Sequence, residues 1–170
     1  MSSIERAYFA SGCFWCITPT FQAQLGVRSV VSGYSGGEEK NPTYQDVKQQ
    51  KTGHRETVMV EFNPEKISYE ALFDVFLSGV DPFDPEGQFI DRGFSYTLAI
   101  YYTDGAQLAA AREGIRKLEQ ASGKSVCIAL EPFKSFWPAE EYHQDYHKKN
   151  PEAFRKELIE SGRIQVVSLN

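Results

Sequence analysis

The chain of 170 residues carries 18 basic and 23 acidic side chains, a net charge of −5, and 14% aromatic residues. That length fits one domain, 1–170, with a full core. The scattered basic residues exclude the footprint of a nucleic-acid binder, and no apolar stretch reaches the ~20 residues of a membrane span. The start, MSSIERAYFASG, lacks the basic-then-apolar pattern of a secretory signal, and three cysteines make a poor disulfide framework. Reduced thiols in a cytoplasmic protein are therefore expected.

Residues 6–11, RAYFAS, read as a short strand running into Gly12, with Cys13 at the first turn of a following helix. Pro19 removes a backbone donor, so an irregular turn over 13–18 and a regular helix over 21–25 are expected, stopped by Gly26. Val27 to Tyr34 is strand-like, and 35–54 forms a long polar connection, a length that is usually functional or disordered. Glu56 to Phe62 alternates as a strand does. Ser68 is the candidate cap of a helix over Tyr69 to Ser78, with Leu72, Phe73, Phe76 and Leu77 as its apolar stripe. Residues 79–95 read as a second long loop, and Tyr96 to Tyr102 as a strand. Asp104 caps the strongest helix, about 105–121. Val126 to Leu130 reads as a buried strand. Ala139 to Lys148 and Glu152 to Ser161 read as short helices. The loose alternation favours a single-domain α+β mixed sheet with helices on its faces.

Gly12-Cys13-Phe14-Trp15-Cys16 holds two of the three cysteines. The thiolate is the reactive form of cysteine, and a helix start stabilises it. An i, i+3 spacing brings Cα atoms to about 5 Å, a separation a disulfide tolerates, so the pair can close and reopen by thiol exchange. Against this stands the ordinary role of cysteine as a small buried hydrophobe. Cys13, Cys16, His143 and His147 also have the ligand spacings of a Cys2His2 zinc site, but the two halves lie far apart in the chain, and a domain of this size needs no metal staple. Tyr44, Glu56, Asp91 and Tyr96 lie in or beside the long loops, where binding residues collect. Each alone is ordinary: a surface ring, a strand-edge charge, a turn former. His143 and His147 share a face of the expected helix, which by itself suits a solvated helix with one histidine on the core.

Together, GCFWC, GYSGG, NPTY, TGHRE, NPEKISYEALFDVF followed by DP, DRGFSY and FWPAEEYHQDYHKKNP span nearly the whole chain. With them the chain resembles the type A peptide methionine sulfoxide reductases. The resemblance implies a ferredoxin-like, α/β plait core with long coil segments. It implies a Cys13 thiolate that attacks the sulfur of a methionine S-sulfoxide, free or in oxidised proteins. Phe14 and Trp15 match the aromatic wall for the substrate methyl, Glu56 the acid that protonates the oxygen, and Tyr44 and Tyr96 its hydrogen-bonding partners. Asp91 matches a carboxylate of the same pocket, and His143 joins the substrate-binding set. No cofactor or metal is implied. Cys16 then closes a disulfide for thioredoxin to reduce. Three departures stand out: Cys16 replaces a common glycine, Lys48 stands where relatives often carry cysteine, and Gln88-Phe89-Ile90 replaces a GND segment. The tail, ESGRIQVVSLN, holds no cysteine. Cys16 is preferred to Cys127 as resolver because Cys127 is expected inside a buried strand. A zinc-binding module and a general CxxC disulfide oxidoreductase are the alternatives.

Overall fold

The structure, a computed structural model, describes residues 3–160. Residues 1–2 of the start, Ser161 of the last expected helix, and the rest of the tail to 170 lie outside the described residues. The elements run β1 (Glu5–Ser11), α1 (Phe14–Gln22), β2 (Val27–Ser35), α2 (Tyr44–Lys48), β3 (Arg55–Phe62) and α3 (Tyr69–Ser78). A hairpin of β4 (Gly87–Gln88) and β5 (Asp91–Arg92) and a 3-10 turn (Phe94–Tyr96) follow. Then come β6 (Leu98–Tyr102), α4 (Gly105–Ser122), β7 (Ile128–Pro132), β8 (Phe136–Pro138), a 3-10 turn (Glu141–His143), α5 (Tyr146–Lys149) and α6 (Pro151–Glu160). No helix among the described residues is long and apolar enough to cross a membrane.

Six strands form one mixed sheet in the order β7-β6-β1-β3-β2-β8. Every pairing is antiparallel except β6 with β7, whose α4 crossover makes them parallel. Strand alternation sorts the side chains into two sets. Ala7, Phe9, Val58, Val60, Phe62, Leu98 and Ile100 face one way and share a core with Ile17 and Phe21 of α1, Leu72, Phe73 and Phe76 of α3, and Ala111 of α4. Tyr8, Ala10, Ala99 and Tyr101 face the other way, covered by Phe133 and Phe136 rather than by a helix. Among the described residues the second face is roofed by Phe133, just after β7, and Phe136, at the start of β8. The Tyr8 and Phe133 rings stack there at 4.1 Å.

Local chemistry accounts for the helix starts. Ser68 Oγ accepts the Ala71 N–H, Asp104 Oδ1 accepts the Gln107 N–H, and Thr43 Oγ1 accepts the Asp46 N–H; each such cap is worth about 1 kcal/mol. The first helix departs from expectation. It is helical from Phe14 and ends at Gln22, with Pro19 inside. Pro19 removes the N–H due to the Trp15 carbonyl, Thr18 Oγ1 donates to the Phe14 carbonyl at 2.7 Å, and the helix ends three residues after the proline. The segment 139–148 is not one helix. Ala139 N–H donates to the Ser32 carbonyl, and the Gln144 side chain bonds both the N–H and the carbonyl of Ser32. Pairing with β2 thus overrides helical propensity. Cys127 lies before β7, not inside it. The Val126 and Cys127 N–H groups go to Glu119 Oε2 and the Pro82 carbonyl instead of a ladder. The two long loops contain α2 and the β4–β5 hairpin.

Gly33 lies where β2 meets β8, and a Cβ there would press on the Phe136 ring and the Trp137 carbonyl. Gly33→Ala is expected to lose about 1–3 kcal/mol of stability in urea unfolding; an unchanged midpoint would refute this close approach.

Candidate active site

The row of inward side chains on β3 runs Phe62, Val60, Val58 and ends on Glu56. Glu56 therefore continues the core row, under the start of α1, and is 1% exposed. Gly12, at φ +83°, makes the left-handed turn out of β1 that only glycine adopts without strain. It delivers Cys13 to the cap position of α1. The Phe14 N–H, one of the unpaired donors at that helix start, donates to Glu56 Oε1 at 3.2 Å. Glu56 Oε2 is buried with no partner in hydrogen-bonding geometry, though the Tyr96 hydroxyl lies close enough to favour its ionised form.

The electrostatics follow from burial. Stripping water from a carboxylate costs several kcal/mol, more than the about 1.5–3 kcal/mol that one bond to an ion returns. Burial first, then the negative fields of Asp91 and Cys16, push Glu56 up to about 8 against the Phe14 N–H. The Cys13 thiol is also pushed up. Its hydrogen bond with Cys16 leads, then burial, then the fields of Glu56 and Asp91. The expected stabilisation of a thiolate at the helix start is thus outweighed. Burial and the Glu56 charge raise Tyr44 and Tyr96 above the ordinary phenol range, and Cys13 and Asp91 act on both. Cys13, Glu56, Tyr44, Tyr96 and Asp91 therefore converge on one place from α1, β3, α2, the 3-10 turn and β5.

The aromatic side of the site is continuous. Trp15 Nε1 donates to His143 Nδ1 at 3.0 Å and stacks on Tyr146 at 4.0 Å. Phe14, Trp15 and Tyr44 all pack on the His143 ring, Tyr44 at 4.2 Å. The bond from Trp15 fixes the neutral His143 tautomer with its proton on Nε2, which is buried without a partner. Burial lowers the His143 pKa to about 4. His143 is thus in the site, on a 3-10 turn and not on a solvated helix.

Several residues to which the sequence assigns no role support the site. Glu140 accepts the Tyr34 hydroxyl at 2.8 Å and the Tyr44 N–H at 3.0 Å. Burial opposes its charge, but these bonds outweigh it and hold its carboxyl below the ordinary range. Arg55, pointing to the opposite face from Glu56, bonds Thr97, Tyr101 and Glu131 and lies 4.4 Å over the Phe94 ring. Gln50 pairs with Ser95 through both amide atoms. Arg55 and Gln50 together hold the turn that carries Tyr96. His54 bonds the Gly37 N–H and the Glu39 carbonyl. Gln88, in the departing segment, is buried and pairs both ways with the Asp81 backbone. Lys48 lies 5.5 Å over the Tyr44 ring.

Cys13 and Cys16 are buried, are not joined by a disulfide, and pack with Leu158, Trp15 and Phe154. No group of three or more His, Cys, Asp or Glu among the described residues is placed to hold a metal. The zinc set read from spacing does not converge. Cys127 is half-buried, outside any strand, and lines a hollow with Arg55, Phe94 and Thr97.

The family model for peptide methionine sulfoxide reductase matches residues 5–168. The chain belongs to this family. It is 43% identical over 166 residues to the peptide methionine sulfoxide reductase MsrA of Halalkalibacterium halodurans, covering 96% of this chain and 94% of that one. It is 46% identical over 161 residues to MsrA 2 of Staphylococcus aureus, covering 94% and 91%. Among solved structures, reduced Mxr1 from Saccharomyces cerevisiae superposes with a TM-score of 0.83 at 29% identity, covering 88% of this chain and 87% of that one. Methionine sulfoxide reductase A of Corynebacterium diphtheriae gives 0.77 at 28%, covering 87% and 76%. Mxr1 in complex with Trx2 gives 0.58 at 22%, covering 84% of each, a likeness of fold. Within this reductase family the α+β class is shared.

Because folding raises Glu56 from its ordinary 4.5 to about 8, the native state holds a proton that the unfolded chain has released. Stability therefore falls as pH rises through that window. Glu56→Gln is expected to be more stable than the parent at pH 8.5 and to lose that advantage by pH 5, read from unfolding midpoints. A pH-independent difference would remove the buried acid.

Proposed function

We propose that the chain is a single catalytic domain, 1–170, that reduces methionine S-sulfoxide, free or in oxidised proteins, to methionine. The observation that carries the mechanism is the buried carboxyl of Glu56, protonated near neutral pH, bonded to the backbone beside Cys13. A sulfoxide oxygen is a strong acceptor and a poor leaving group. It needs a proton as the sulfur is attacked. Glu56 supplies it, and the Tyr44 and Tyr96 hydroxyls hold the oxygen. The substrate methyl lies against Phe14 and Trp15, with Asp91 and His143 in the same binding set.

The step balances. The Cys13 sulfur bonds to the sulfoxide sulfur as Glu56 gives its proton to the oxygen, and the Cys13 proton replaces the one Glu56 gave. The oxygen then passes to the Cys13 sulfur as its bond to the methionine sulfur and the transient S–S bond break, leaving methionine and a sulfenic acid on the enzyme. The Cys16 sulfur then attacks that sulfenic acid, water leaves, and a Cys13–Cys16 disulfide remains for a dithiol to reduce. Thioredoxin is the reductant we assign, a reading supported by the solved complex of yeast Mxr1 with Trx2. A cytoplasmic location suits three reduced thiols. A high resting pKa keeps Cys13 quiet until the sulfoxide arrives and draws the Glu56 proton towards its oxygen.

Cys13→Ser is expected to form no methionine in a single turnover. Cys16→Ser should form about one methionine per enzyme and stall with thioredoxin, while Cys127→Ser should turn over as the parent does. Full thioredoxin-driven turnover in Cys16→Ser would overturn the resolving role. Glu56→Gln should slow methionine formation by about 10²-fold, measured by rapid quench; an unchanged rate removes Glu56 from the chemistry.

A further inference from the structure

We propose that Glu140 is a positioning residue for the reaction, acting through Tyr44. The inference rests on the reading above, in which the Tyr44 hydroxyl holds the sulfoxide oxygen. Tyr44 is the first residue of α2, which has only five residues. A helix that short has no stability of its own, so its place is set from outside. Thr43 caps the Asp46 N–H and leaves the Tyr44 N–H to Glu140 Oε2. Glu140 Oε1 meanwhile accepts from the hydroxyl of Tyr34, which is fully buried in the core beneath Phe14. One carboxylate therefore ties the backbone of Tyr44 to the core from a segment 96 residues later in the chain. Both bonds are charge-assisted and so stronger than neutral ones. The Tyr44 ring then lies across Trp15, Phe14 and His143, and its reach into the site follows from where its N–H is held. A shift of about 1 Å in a positioned donor can cost up to about 10²-fold in rate.

A double-mutant cycle tests this, with single-turnover methionine formation from N-acetyl-methionine S-sulfoxide as the readout and KM measured alongside. Glu140→Ala is expected to lower the rate about tenfold with a smaller change in KM. Glu140→Gln, which can still accept the Tyr44 N–H and donate to Tyr34, should recover most of that loss. In a Tyr44→Phe background, Glu140→Ala should cost less than about twofold, because the hydroxyl it positions is already gone. If Tyr44→Phe is slow and Glu140→Ala costs the same tenfold on top of it, Glu140 acts elsewhere and the positioning role is overturned alone. If Tyr44→Phe runs at the parent rate, Tyr44 is not in the chemistry and the underlying reading falls with the proposal. Should Glu140→Ala not fold, Glu140→Asp, too short to span both partners, takes its place in the same cycle.

Discussion

One hydrogen bond, from the Phe14 N–H to the buried carboxyl of Glu56, joins the two halves of this protein's chemistry. It fixes the start of α1 against the start of β3, and so fixes Cys13 relative to the acid. Its cost is visible in the acid itself, whose proton affinity is raised because one donor cannot replace the water it has lost. The rest of the structure serves that contact. The β1–β3 ladder brings the two strands side by side, and Gly12 turns the chain so that the cap position meets the last inward residue of β3. Arg55, next along the strand, faces the other way and clamps the turn of Tyr96. Adjacent residues on one strand thus do opposite work because a strand alternates.

Around that contact the negative groups repel one another. Glu56, Asp91 and Cys16 all oppose ionisation of Cys13, and burial adds to them. In a free enzyme this favours a closed, protonated set, which protects the thiol from casual oxidation. In the proposed reaction the same protonated set supplies the proton that the sulfoxide oxygen takes up.

Much of this was legible in the sequence, for reasons of period and chemistry. Alternation marked β3 and made Glu56 the end of its inward row, and the caps Ser68 and Asp104 marked α3 and α4. The Gly-Cys-Phe-Trp-Cys run marked the thiols and the aromatic wall. What was not legible is what depends on distant partners. The segment 139–148 reads as a helix, yet Ser32 captures Gln144 and the backbone of Ala139, and no local pattern announces that. Nothing local singles out Glu140, whose two bonds lie 96 and 106 residues away in sequence. Cys127 was misplaced because apolar neighbours suggested a strand, while its N–H belongs to Pro82. The lowered acidity of Cys13 was invisible too, since a helix start argues one way and burial among negative groups the other.

The cover over the thiols comes from a segment much later in the chain. Cys13 and Cys16 are packed beneath Phe154 and Leu158 of α6, and Trp15 is held by His143, so the thiols are made well before the residues that cover them. Domains emerge from the ribosome N-terminus first. A growing chain therefore carries both thiols uncovered until α6 emerges, and the Tyr44 N–H without its carboxylate until Glu140 does. A chain broken off before α6 holds the thiols without their cover.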